Sequence, residues 1–250
     1  MPNKVQQTRR RKKSPLRKLF GFLLICGLIL FGVSVFFRIS DIAVEGNTPY
    51  TSGQIIEASG LSFGNHLLFI DEAAATENIR RTLPHIGQAQ IVRRFPSRIE
   101  IWVQEARPVA YVRNLGEYLI IDASARVLEI QQTVAHENLL SLLGVFPYGE
   151  QLTGTTLNLE EAYHYQLEYL QEILSAFDRL DLVDQIIQLD MTDVLNPIFD
   201  LSGRFTVHLG PNRNLNHKMH MLLEIYASID PEDRGLIDLN PNNPIFRPMW

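Results

Sequence analysis

Three histidines and three aspartates are the residues of this 250-residue chain whose spacing could do chemistry. His217 and His220 stand three apart in a stretch that reads as helical, so they share a face, and His208 precedes them on an expected strand. Neutral imidazoles so placed suit zinc, but the stronger order His-Glu-x-x-His, with its added carboxylate, is absent. The expectation is therefore solvated or packed histidines. Asp178, Asp181 and Asp184 recur every three residues without the glycine and glutamate of a calcium loop, and read as the solvated acidic face of a helix end. No Ser-x-x-Lys pair and no phosphate-cradling glycine loop frames a nucleophile or a phosphoryl group. Cys26, the only cysteine, falls in an apolar run, so nothing after it can use a thiolate, a disulfide or a cysteine-held metal. These residues together lead us to expect no catalytic site, no cofactor and no metal.

The elements that would position any site begin with the amino terminus. Residues 1–18 hold eight Lys or Arg and no acid, and residues 19–37 are nineteen uncharged, mostly apolar positions. Such a run extends about 28 Å as a helix, near the hydrocarbon thickness of a bilayer. A cleaved signal peptide would have a shorter apolar core of roughly 7–15 residues and small residues at its end, whereas Phe36-Phe37-Arg38 stands here. The spacing predicts a retained single span with residues 1–18 cytoplasmic and 38–250 external. The external part carries 15 basic residues against 28 acidic ones, a net −13, and is a poor nucleic-acid binder. The basic tail reads as a topology signal resting on anionic lipid.

The external 213 residues are enough for a core without disulfides and suggest two modules. In the first, "DIAVEGN" alternates as a strand, Thr51 and Gln54 form a capping box for a helix that Gly60 ends, and Asp71 caps a second helix stopped by Pro84. Ala74, Ile79 and Leu83 are its expected apolar face. Residues 88–94 and 98–105 read as two strands about the turn Phe95-Pro96-Ser97, the second with Ile99, Ile101 and Val103 on one side. In the second module, strands are expected about Tyr111 and at 117–121, 126–130, 184–190, 197–201, 204–209 and "GLIDLN". One helix is expected over "LNLEEAYHYQLEYLQEILSAFDRL", with Tyr163, Leu167, Leu170, Leu174 and Phe177 as its stripe and Asn158 and Glu161 as cap partners. Another is expected over 214–229. Residues 139–145 read only as an apolar segment, and "PNNPIFRPMW" as a Pro-limited tail.

The phrases "VEGN", "NHLLFID" and "RRFPSRIEIWVQEARPVAY", in the order β-α-α-β-β after a single span, resemble a POTRA domain, and specifically that of the FtsQ/DivIB family of bacterial division proteins. "LIIDASARVLEI" continues the likeness, with Ala125 where the family usually places glycine. The resemblance implies an α+β chain: a basic cytoplasmic tail at 1–18, a transmembrane helix at 19–37, a POTRA domain at 38–108, and an FtsQ/DivIB-type β domain at 109–250 with a largely antiparallel sheet. It implies a bitopic, non-enzymatic scaffold of the divisome at the septum of the cell membrane. Its partners would be FtsB/DivIC and FtsL-type bitopic division proteins, linked through it to septal wall synthesis, with no nucleic acid and no small-molecule substrate. Partner-binding residues carried over from the family are Gly235, Leu236, Ile237, Asp238, Leu239, Asn240, Ile245 and Phe246, with Leu236 to Leu239 expected as an edge strand to which a partner adds. Pro241 and Pro244 argue against extension of that strand beyond Leu239. The 98–105 strand is expected as scaffold and as a second docking edge. Two other readings stand beside this one: a POTRA docking or chaperone module in envelope protein export, and a membrane-anchored envelope hydrolase, for which no nucleophile or metal set is legible.

Overall fold

The computed structural model describes residues 15–47, 49–134, 139–230, 232–240 and 245–248, the side chains of 15–18, 30, 33, 34 and 47 excepted. Of the basic tail, residues 1–14 lie outside the described residues. A helix, α1 (Pro15–Phe36), covers nearly all of the apolar run. Among the described residues no helix is long and apolar enough to cross a membrane, and the longest stretch of α1 with every side chain described is residues 19–29.

The first unit follows the expected β-α-α-β-β order: β1 (Asp41–Asn47), α2 (Ser52–Ser59), α3 (Glu72–Thr82), β2 (Ile86–Arg94) and β3 (Arg98–Glu105). Thr51 and Gln54 form both halves of the capping box on α2, Gly60 closes that helix in the left-handed conformation, and Asp71 accepts from Ala74 N–H at the start of α3. Ile79 and Leu83 are buried as the spacing predicts, whereas Ala74 is exposed and Ala75, four before Ile79, packs in its place. The alternation in β3 holds: Ile99, Ile101 and Val103 are buried with Ile55, Leu67 and Ile79. The sheet order is β1-β3-β2, with β1 parallel and β2 antiparallel to β3. The expected docking edge at 98–105 is thus corrected, because β3 is the central strand and both its edges are spent on neighbours.

Among the described residues the second unit is one nine-stranded sheet with two α-helices. Its strands are β4 (Ala110–Asn114), β5 (Glu117–Ile121), β6 (Val127–Gln131), β7 (Leu140–Leu143), β8 (Ile186–Asp190), β9 (Ile198–Leu201), β10 (Phe205–His208), β11 (Gly235–Asp238) and β12 (Ile245–Pro248). The helices are α4 (His164–Arg179), between β7 and β8, and α5 (Leu215–Ser228), between β10 and β11. The sheet order is β12-β11-β10-β9-β8-β7-β4-β5-β6. Hairpins make its antiparallel pairs, while the α4 and α5 crossovers force β7 parallel to β8 and β10 parallel to β11, and β4 also runs parallel to β7. The sheet is therefore mixed.

Tyr169, Leu170, Ile173, Leu174 and Phe177 of α4 and Leu215, Met219 and Leu222 of α5 pack with Val112, Leu142, Leu189, Phe199, Val207 and Ile237 into one core. Tyr163 is exposed and Leu167 only half-buried, because a 3-10 turn, Glu161–Tyr163, precedes α4 and delays its start to His164. Neither Asn158 nor Glu161 caps α4: Tyr163 holds the cap position without a side-chain bond, and Asn158 Nδ2 donates to Tyr148 O (2.9 Å). Buried Gln166 donates to Gly144 O and Met191 O (both 2.9 Å), tying α4 to the ends of β7 and β8.

Two arginines join the units. Arg126, almost fully buried, donates to Arg80 O (2.9 Å), Pro84 O (3.0 Å) and Ile86 O (2.6 Å) at the end of α3, and from Nε to Asp122 Oδ2 (3.2 Å). Burial pulls its guanidinium below the ordinary arginine range and Asp122 opposes that shift. The intervening Ala125 has φ 57°, so it occupies the left-handed conformation for which the family's glycine is suited. Asp122 Oδ1 steadies this turn by accepting from Ser124 N–H, Ser124 Oγ–H and Arg126 N–H. The second arginine, Arg107, lies between the two sheets and meets Asp184 at 2.9 Å, Asp181 at 3.6 Å and Asp178 at 3.8 Å.

Candidate partner-docking edge

Strand β11 is held on both sides. Phe205, Thr206, Val207 and His208 face Gly235, Leu236, Ile237 and Asp238 in parallel register, and on the other side Ile237 faces Phe246 and Asp238 faces Ile245 in antiparallel register. The segment expected as a Pro-limited tail thus supplies a strand of its own, and β12 takes the edge position foreseen for β11. Residues 241–244, with the two prolines that argued against extension, lie outside the described residues.

Gly235 is what lets β12 come so close. A Cβ there would sit 2.2 Å from Arg247 O and 2.9 Å from a Phe246 ring carbon, so any larger residue pushes β12 away. Ile237 and Leu239 are fully buried, Leu236 and Asp238 half-buried and Asn240 exposed; Asn240 N–H donates to Asp238 Oδ1 (3.0 Å). Phe246 is half-buried, its ring edge-on to Phe205 at 6.0 Å, and Ile245 and Arg247 are exposed. Among the described residues no strand pairs with the outer side of β12. The carried-over residues are therefore contiguous but unequal: Gly235, Ile237 and Leu239 are buried, and β12 is the outermost strand of the sheet among the described residues.

The residues that suggested chemistry do not assemble. His208 Nδ1 lies 3.2 Å from Asn196 Nδ2, His220 Nδ1 2.6 Å from Asn216 O, and His217 lines a shallow groove with Glu168 and Arg179 between α4 and α5. Among the described residues no three of His, Cys, Asp and Glu stand where they would hold a metal ion. The three aspartates are not merely solvated, since all turn to Arg107. One motif the spacing argument passes over is Gly60-Leu61-Ser62-Phe63-Gly64, which has the letters of a nucleophile elbow. That elbow needs a strand-to-helix turn, whereas Ser62 follows a helix and its N–H donates to Asn65 Oδ1 (2.8 Å). Also unforeseen is Lys218, buried in α5, whose Nζ donates to Leu209 O (2.6 Å) and Pro211 O (2.7 Å). Desolvation pulls its ammonium below the usual lysine range, and it serves to pin the turn after β10, where Tyr169 Oη also donates to Gly210 O (2.8 Å).

Residues 37–106 match the family described as "POTRA domain, FtsQ-type", which spans the first unit from the end of α1 to the end of β3. The likeness continues over the rest of the chain. Cell division protein DivIB of Clostridium botulinum (strain Hall) is 24% identical over 246 residues, 97% of this chain and 94% of that protein. The first unit matches an FtsQ-type POTRA domain, and the chain is similar to DivIB division proteins over nearly its whole length. Cell division protein DivIB of Clostridium acetobutylicum is 29% identical over 225 residues, covering 89% of this chain and 88% of the relative. Cell division protein FtsQ of Streptomyces collinus is 32% identical over 97 residues, 39% of this chain and 36% of its own length. The similarity thus takes in the nine-stranded unit as well as the POTRA domain.

Proposed function

We propose that this chain is a membrane-anchored scaffold of the bacterial division machinery, which holds FtsB/DivIC and FtsL-type bitopic proteins at the septum by protein contacts. The observation that carries the docking part is the open outer side of β12. An edge strand offers backbone N–H and C=O groups to a segment that can add as a further strand about 4.7–4.9 Å away. Gly235, Leu236, Ile237, Asp238, Leu239, Asn240, Ile245 and Phe246 are the proposed docking residues, with β12 in direct contact and β11 supporting it from behind.

The anchor part is supported by α1. Phe20, Phe22, Leu23, Leu24, Ile25, Leu28 and Ile29 are all exposed, so the helix is apolar right round rather than along one stripe, as suits a helix solvated by lipid. The span at 19–37 would place the eight cations of residues 1–18 on the cytoplasmic side and both folded units outside. Its work there is binding rather than catalysis.

A photo-crosslinking residue at Ile245 in the full chain, expressed in dividing cells, should capture a small bitopic protein of the FtsB/DivIC type. The same residue at exposed Ile130 on β6 should not. Equal capture at both positions, or at Ile130 alone, contradicts the docking assignment.

A further inference from the structure

Two loops of the POTRA domain are stitched to the four residues that follow α1. Leu67 N–H donates to Phe37 O (2.7 Å), Ile39 N–H to Asn65 O (2.9 Å), Gly64 N–H to Ile39 O (2.8 Å) and Ser40 N–H to Ser97 O (2.8 Å). These bonds keep the 61–70 loop and the 95–97 turn beside the end of α1, whatever direction that helix takes. Each loop presents phenylalanine outward: Phe63 is 65% exposed, Phe69 82% and Phe95 62%. Phe37 adds its ring edge-on to Phe95 at 5.9 Å. The unit's core closes through Leu67 and Ile39 without Phe63, Phe69 and Phe95, so these three rings are not a loosened part of it, while Phe37 packs partly against it.

The charges at this end are also distinctive. In an external chain of net −13, exposed Asp71 caps α3 by accepting from Ala74 N–H, and three other carboxylates here are matched by arginines: Asp41 by Arg98 at 3.3 Å, Glu100 by Arg94 at 2.8 Å and Glu72 by Arg93 at 2.6 Å. The last is a charge contact out of line for a hydrogen bond, and Arg93 donates instead to Leu68 O and Ile70 O, which fixes the loop carrying Phe69. Much of the acidity that an anionic lipid surface would repel is thus paired where the chain emerges from α1.

We propose that Phe37, Phe63, Phe69 and Phe95 form an aromatic collar that sits in the outer leaflet, at the boundary between headgroups and acyl chains. The inference rests on α1 being a membrane span. Lipid is the occupant because the collar is continuous with that span: Phe37 is its last residue, and the loops bond within three residues of it. Apolar rings of this kind settle about 5–10 Å into the interface. The collar stands the POTRA domain upright, so β3, running away from Ser97 for seven rises of about 3.3 Å, carries the second unit about 23 Å off the surface. The docking edge is thereby held at a fixed height for a bitopic partner rising from the same membrane.

Because Cys26 is the only cysteine, single labelling sites are simple to make. A Cys26→Ala full chain, reconstituted in phosphatidylcholine/phosphatidylglycerol nanodiscs, would carry an environment-sensitive fluorophore on Phe63→Cys, Phe69→Cys or Phe95→Cys. Controls would be Leu115→Cys and Leu195→Cys in the second unit, 98% and 65% exposed as Leu, and unmodified chain labelled at Cys26. Lipids spin-labelled near the headgroup should quench the three collar sites about twofold or more beyond Leu115→Cys and Leu195→Cys, as insertion to that depth requires. Quenching at Cys26 by lipids spin-labelled deep in the acyl chain, with collar sites no better quenched by the headgroup label than the controls, overturns the collar and leaves the span standing. Absence of quenching at Cys26 by the deep acyl-chain label removes the span, and the collar falls with it.

Discussion

The nine-stranded sheet ends in two different ways. At its β6 end, residues 154–157 run back along the strand's start, with Gly154 N–H donating to Val127 O and Val127 N–H to Thr155 O, and the POTRA domain closes over them. Gly154 lies so near α3 that a Cβ would meet Arg81 O at 2.2 Å, Arg126 enters the carbonyls of residues 80–86, and His85 approaches Glu129 at 3.7 Å. At the β12 end a four-residue strand leans on β11 through one half-buried ring, and its outer side has no strand beside it among the described residues. Both ends face the edge-strand problem, and the chain solves it at one end with its own neighbouring domain. The other end is where a partner can solve it.

The closed end should be the costlier one to break. Arg126→Ala removes donors from three carbonyls, that of Ile86 buried and those of Arg80 and Pro84 partly so, and leaves Asp122 without its cation, so the full chain in detergent micelles should lose about 3 kcal/mol or more of stability. Denaturant unfolding measures this, and a loss below about 1 kcal/mol would mean the two units are not coupled through this residue. At the open end, Gly235→Ala should displace β12 and abolish partner binding, while stability falls by only about 1 kcal/mol, the scale of the lost Phe205–Phe246 contact. Retained affinity in that variant would move the docking site elsewhere. Arg107→Gln sharpens the contrast within the closed end: its three ion pairs are exposed, so the effect should be about 1 kcal/mol or less and fade with added salt.

How much of this is legible in the sequence follows from how far each determinant reaches. The POTRA elements are written locally: Thr51 and Gln54 are three residues apart, and the Ile99, Ile101 and Val103 alternation needs only period two. The contacts between units are not, because Arg126 finds Ile86 O across 40 positions and Arg107 finds Asp184 across 77. The even spacing of Asp178, Asp181 and Asp184 signalled a shared face without revealing the cation it turns toward. Strand β12 escaped notice because prolines flank so short a segment; Pro248 is tolerable at the sheet margin, where its missing N–H costs no ladder bond. Glycine gave a usable signal at Ala125, where a departure from the family's residue coincides with positive φ.

Amide hydrogen exchange on the full chain, with and without the external segment of an FtsB/DivIC-type partner, tests the open edge most directly. Partner addition should slow exchange about tenfold or more at outward-facing amides among Ile245, Phe246 and Arg247, and leave β6 (Val127–Gln131) unchanged. Binding that leaves β12 exchange untouched while protecting another surface would contradict the account.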